Sequence, residues 1–348
     1  MPIDNYSVWV ARPVRVSAER AEQDPDTPHI HLFYDDGSGG NYDNARRASI
    51  NVKSGSELSE LVFWLIQNFQ HPIVDELRSL AMGFQGIPSQ AGGVALDYIR
   101  GNLIDLSQGR LLPHDRPGSG DDIIDFVMPE LQAAINRNGT AYLFGEPYDD
   151  MQGIHDIHMN QGSQGQFKKY NGVWQDGGVI IHFPDEDRFA AIFLAFASQA
   201  IHTDEAEGHG LPGSQNLAQL LGQGGDGGDI TIADDLRVVI VAALVNPIGG
   251  ENQPDATGRP EMVYLLNRST QGISLGGWSL LNKNDEARLI SDDIWLAPGE
   301  VRSVTMGGAP LSNKGGLISL LDNNGNKVDG VSYSKDQASK EGELVIFR

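Results

Sequence analysis

The sequence predicts an α+β N-terminal domain of small antiparallel sheets and packed helices, followed by an all-β, immunoglobulin-like sandwich. Three observations carry that expectation. The first fifty residues alternate apolar and polar positions, as half-buried strands do. Long apolar stretches then appear at helical spacing. Past residue 230, short β-rich runs recur between Asn-Gly and Pro-Gly turns. A length of 348 residues also exceeds what one hydrophobic core usually organises, so two domains are expected.

Taken in order, SVWVARPVRVSAE (7–19) and HIHLFYDD (29–36) read as strands, and the turn-forming loop 35-DDGSGGNYDN-44 separates the second from ASINVKS (48–54). SELSELVFWLIQNF (56–69) opens with Ser and carries apolar residues at helical spacing, which predicts a capped amphipathic helix. DDIIDFVMPELQAAINRNG (121–139) predicts a second helix, with Asp121 and Asp122 at its positive N-terminal end and Gly139 stopping it. TAYLFGE (140–146) reads as a strand. RFAAIFLAFASQAIH (188–202) is apolar nearly all round and predicts a buried helix or helix-like core element. A glycine-rich run then sets the boundaries: a domain over 1–207, a linker over 208–229 and a sandwich over 230–348.

Composition narrows the function. The formal net charge is −22, with 30 acidic against 14 basic residues through position 207, so nonspecific binding to a phosphate backbone is disfavoured. No cysteine is present, which removes disulfides, thiolate-bound zinc and Cys nucleophiles; any metal must use His, Asp, Glu, Asn or water. No run of eighteen apolar residues spans a membrane and the N-terminus lacks a signal-peptide layout, so a cytoplasmic protein is expected. There is no GxxxxGK[ST] phosphate loop, so no nucleotide cofactor is expected. HExxH is also absent.

The chemistry-bearing residues gather in 153-GIHDIHMNQGSQGQF-167 and 171-NGVWQDGGVIIHFPDED-187. His155, His158 and His182 are candidate ligands for a divalent ion such as zinc or manganese. Asp156, Asp176 and His202 are candidates for acid–base work or for orienting a ligand, because a carboxylate that accepts one ring N–H fixes the tautomer of an imidazole. Asn160, Gln161, Trp174, Gln175 and His114 would contact substrate. The glycines around them let backbone approach a ligand closely. The plainer reading is that each imidazole is tied to a nearby carbonyl in a glycine-rich loop. His29 and His31, two apart on one face of a strand, could also bind a metal, or form a surface pair only.

Two resemblances follow from these motifs. GIHDIHMNQG (153–162), NGVWQDGG (171–178) and 202-HTD-204 are similar to the pattern of the bacterial YukJ family of unknown function, over roughly residues 1–207; the resemblance implies no activity. VNPIGGENQPDATGRPEMVYLLNRSTQGISLGGWSLLN, LAPGE and LSNKGGLISLLDNNGNKVDGVSYS resemble the lamin-tail domain over about 230–345, which implies an attachment or protein-interaction module. The expected function is therefore a metal-assisted hydrolase of phosphodiester or amide bonds acting on a small-molecule or polymer substrate. The alternative is a non-catalytic scaffold that binds a ligand or partner.

Overall fold

The computed structural model describes residues 6–38, 46–53, 61–87, 94–98, 101–155, 157, 176–201, 215–221, 237–249, 260–325 and 327–348. The chain forms two compact units. One comprises Met1–Phe69, Ile73–Tyr98 and Leu106–Gly224; the other comprises Gln70–Pro72, Ile99–Asp105 and Gly225–Arg348. Two short segments of the first 207 residues thus count with the second unit.

In the first unit, strands β1 (Ser7–Glu19), β2 (His29–Asp35), β3 (Arg46–Asn51), β4 (Leu61–Ile66), β5 (Gly83–Gly86), β6 (Arg110–Leu111), β7 (Thr140–Pro147), β8 (Gly153–His155), β9 (Gly178–Phe183) and β10 (Arg188–Phe196) make one sheet. Their order is β5-β1-β2-β3-β8-β7-β9-β10-β4-β6. β1 also pairs with β7, so β1, β2, β3, β8 and β7 close into a ring. β1 is long enough to serve both neighbours: Ser7–Ala11 pair with β7, Arg12–Glu19 pair with β2, and the register slips between Pro13 and Arg15. Such a bulge bends a strand where one extra residue goes unpaired.

Two helices, α1 (Ile73–Leu77) and α2 (Ile123–Asn136), accompany the sheet. The Asp122 side chain caps α2 by accepting from the Asp125 N–H, and Ile123, Ile124, Val127, Leu131 and Ala134 join the core with Ile30, Leu32, Leu143 and Ile181. The predicted helix over 121–139 is therefore present, inside those limits.

Two other helix predictions are corrected. Within SELSELVFWLIQNF, residues 61–66 are strand β4, paired with β6 and β10; Ser56, the expected cap, lies outside the described residues. RFAAIFLAF is strand β10, between β4 and β9. The reason is burial on both sides: a central strand covered on both faces is apolar throughout, so its periodicity cannot be told from that of a buried helix. The unit is therefore mostly β, and α2 is its one helix of more than two turns among the described residues.

In the second unit, β11 (Val238–Leu244), β12 (Met262–Asn267), β17 (Val301–Thr305) and β20 (Val345–Ile346) form one four-stranded antiparallel sheet. β14 (Ser279–Asn282), β15 (Ala287–Leu289), β18 (Gly316–Leu321) and β19 (Lys327–Tyr333) form another, and β13 (Ile273–Ser274) pairs with β16 (Trp295–Leu296). Val238, Ile240, Val263 and Leu265 from the first sheet share a core with Leu280, Ile318, Leu320 and Val331 from the second. Short helix α4 (Lys335–Ala338) begins on a capping box at Ser334, and α3 (Leu217–Leu220), which belongs to the first unit, begins on one at Asn216. Among the described residues no helix is long and apolar enough to cross a membrane.

Candidate functional site

The alternation of β2 sorts its side chains. Ile30, Leu32 and Tyr34 enter the core, which turns His29, His31 and Phe33 to the opposite face. Register then chooses their neighbours: His31 stands opposite Ser17 on β1 and Ser49 on β3, and His29 stands opposite Glu19 and Asn51. Cross-strand and diagonal positions on one face lie within side-chain reach. Glu19 Oε2 is 3.0 Å from His31 Nε2, and Ser49 Oγ is 3.3 Å from His31 Nδ1.

The line continues past β3. Ser49 Oγ lies 2.6 Å from the hydroxyl of Tyr148, just after β7. The β7–β8 turn holds Tyr148 in place: its N–H donates to the Gly153 carbonyl and its carbonyl accepts from the Met151 N–H. Gly153 has φ +159°, and a Cβ there would lie 1.9 Å from the Arg47 carbonyl oxygen, so only glycine lets β8 approach β3 this closely. The Arg47 guanidinium carbon is 5.2 Å from the centre of the Tyr148 ring, and the His155 ring packs on its neighbour with 4.8 Å between ring centres. Arg47, Tyr148, Asp149, Asp150 and Gln152 line an open groove of about 530 Å³.

Protonation along this line follows from valence. A carboxylate only accepts, so Glu19 requires N–H on His31 Nε2, and a neutral imidazole then accepts at Nδ1. Ser49 donates to that nitrogen and accepts from Tyr148. All the donors point from groove to carboxylate, which is the arrangement that draws a proton away from the Tyr148 hydroxyl. Ser49 itself is only 2% exposed, so it passes protons and is not placed as a nucleophile.

The predicted residues divide. His155 borders the groove through Tyr148. His182 does not join it: His155 stands opposite Glu146 and His182 opposite Thr140, six positions apart on β7, or roughly 20 Å at strand rise. His182 Nε2 instead sits 3.1 Å from Asp187 Oδ1, and its ring stacks on Phe189. Asp185, the carboxylate nearest it in sequence, pairs with Arg137. The three-histidine metal set is corrected on that ground: strand direction separates two of its members. His114 lies in the loop before the α2 cap, beside Asp115, whose carboxylate pairs with Arg20. Asp156, His158, Asn160, Gln161, Trp174, Gln175 and His202 fall outside the described residues.

Asp176 is carried to the His155 end of β7, two residues before Gly178, which stands opposite Phe144. It is fully buried, so it does not face an open cleft. Its Oδ2 accepts from the Tyr98 N–H, its carbonyl accepts from the Tyr6 hydroxyl, and its own N–H donates to Leu96. Burial, reinforced by the nearby Asp97 carboxyl and only partly offset by the Tyr98 N–H, pushes the Asp176 carboxyl well above the usual carboxylate range.

Among the described residues, the one group of three or more His, Asp or Glu side chains whose ligand atoms already lie within 4.8 Å of one another is Asp121, Asp122 and Asp125, and Asp122 there is the α2 cap. A G-x-S-x-G spacing, 272-GISLG-276, falls in β13 and the turn after it, with no helix following, so it is not a nucleophile elbow. Sequence reasoning noted His29 and His31 but missed Glu19, Arg47, Ser49 and Tyr148. The HxH alternation was the available signal; the partners came only with register.

The first unit is thus a β-rich domain whose ring of strands carries a polar site on its outer face. Residues 1–208 match the family described as "Uncharacterized conserved protein (DUF2278)", and the chain belongs to it. The chain is also 36% identical over 200 residues to "Uncharacterized protein YukJ" of Bacillus subtilis (strain 168), an alignment covering 53% of this chain and 86% of that relative. All the groove and relay residues fall within the matched region.

Proposed function

We propose that the N-terminal unit is a hydrolase of small amide, ester or phosphodiester substrates, with Tyr148 as its general base. The unbroken line Glu19–His31–Ser49–Tyr148, ending at the groove, carries this reading. Water attacks the substrate as Tyr148 takes its proton; the proton moves through Ser49 to His31, whose imidazolium is stabilised by Glu19. It returns along the same line to the departing amine or oxygen, so each turnover consumes one water. Arg47 steadies the charge that develops beside Tyr148.

The test is hydrolysis of p-nitroanilide, p-nitrophenyl ester and bis-p-nitrophenyl phosphate substrates by the full chain, with and without EDTA. Tyr148→Phe and His31→Ala should each lower kcat by about 10²- to 10⁴-fold, the range of general acid–base contributions, with secondary structure retained. Unchanged turnover in both variants would overturn the proposal. A second reading, ligand binding without chemistry, is supported by the openness of the groove, and it would be favoured by saturable ligand binding, lost in Arg47→Ala, without turnover. For the second unit we propose an attachment role, supported by its two-sheet build and its resemblance to lamin-tail modules.

A further inference from the structure

The outer face of β1–β2 carries a second constellation, one residue pair along from the relay. The His29 and His31 rings lie 5.6 Å apart and within 13° of parallel. Glu19 Oε2 touches His31 Nε2 at 3.0 Å, and Asp24 Oδ2 lies 4.0 Å from His29 Nδ1. His29 Nδ1 is buried and makes no hydrogen bond among the described residues. An imidazole nitrogen left in that condition costs free energy unless something binds it.

We propose that His29, His31 and Glu19, with Asp24 at the rim, bind one divalent ion of the zinc class. Three physical points support the assignment. Two imidazoles two apart on a strand face the same way, and turning their rings about the side-chain torsions, with no backbone shift, can bring one nitrogen of each toward a common ion at about 2.0–2.1 Å. His31 already has its other nitrogen held by Ser49 Oγ, the outer hydrogen bond that orients a metal-bound histidine. His29 Nδ1 faces Asp24 Oδ2 at 4.0 Å and has no hydrogen-bond partner among the described residues, so it is left to a ligand. Two nitrogens and one or two carboxylates, without sulfur, suit zinc, cobalt or nickel and are poorly matched to magnesium or calcium.

Occupancy has a consequence. An ion on His31 Nε2 displaces the proton from that nitrogen, so Nδ1 carries it and becomes a donor. Ser49 can then no longer pass a proton into the ring, and zinc should inhibit turnover. The inhibition rests on the hydrolase reading; the binding does not.

The experiment titrates zinc and cobalt into the metal-free full chain, following heat by calorimetry and the visible absorption of bound cobalt, with magnesium as comparison. One equivalent should bind, with affinity falling at least tenfold in His29→Ala and in His31→Ala and holding in His155→Ala. His29→Gln replaces the first variant if it fails to fold. Zinc affinity unchanged in both the His29 and His31 variants, or lost only in His155→Ala, would overturn the site. Turnover of each protein is read against its own zinc-free rate. Tight binding without inhibition keeps the metal site and sinks the relay instead; absence of turnover leaves the calorimetric result to decide alone.

Discussion

The hydroxyls of Ser49 and Tyr148 lie 2.6 Å apart, joined across 99 residues of chain. Ser49 is buried and bonds both Tyr148 and His31, so removing its hydroxyl leaves both of those partners short of a hydrogen bond. Ser49→Ala should destabilise the first unit by about 1–3 kcal/mol, the usual cost of leaving buried polar groups unsatisfied. Tyr148→Phe in that background should cost less than it does alone. Urea midpoints of the four proteins in this cycle measure the coupling, and strict additivity would mean the contact is absent in solution.

Asp176 predicts a pH dependence. Its folded pKa is raised, so the folded state favours the protonated carboxyl relative to the unfolded chain. That contribution is fully present below the unfolded value, near about 4, and fades as pH rises through the folded one. Asp176→Asn keeps an oxygen for the Tyr98 N–H and removes the titration. The parent protein should therefore lose stability relative to this variant on going from pH 5 to pH 8. Parallel pH profiles of the unfolding midpoint would show that this carboxyl does not titrate as described.

In the second unit, Asn102 adopts a left-handed backbone at φ 51°. Its Nδ2 donates to the carbonyls of Ile318 and Val331 at 3.3 and 3.2 Å, and Lys327 donates to its Oδ1. Gly330 makes room: a Cβ there would lie 2.0 Å from Asn102 Oδ1. Gly330→Ala should cost roughly 1–3 kcal/mol, as overpacking of a filled site does, and should cost much less once Asn102 is Ala. Equal penalties in both backgrounds, by thermal unfolding, would show that the clash lies elsewhere.

Arg348 closes the same unit. Its guanidinium donates to both oxygens of the buried Asp329, at 2.6 and 2.9 Å, while Asp329 Oδ2 also accepts from the Ile240 N–H. Arg348→Ala leaves a buried carboxylate short of its cation, and roughly 3 kcal/mol of stability should go with it. Adding Asp329→Asn should restore part of the loss. Calorimetry showing the double variant no better than Arg348→Ala would count against the ion pair as the cause.

Local pattern determined much of this protein. The outward turn of His29 and His31 was readable from the alternation in HIHLFYD, the α2 helix from the aspartates at its start and the glycine after its end, and the β-rich second unit from its turn spacing, because each depends on residues a few positions apart. Tertiary structure alone decided the rest. β4 and β10 look helical in isolation because burial on both faces erases the two-residue period. The direction of β7 sends His155 and His182 to opposite ends, although both lie in one histidine-rich stretch. The Glu19–His31–Ser49–Tyr148 line exists only through strand register, and register is set by which faces the whole sheet can bury, a property no single segment contains.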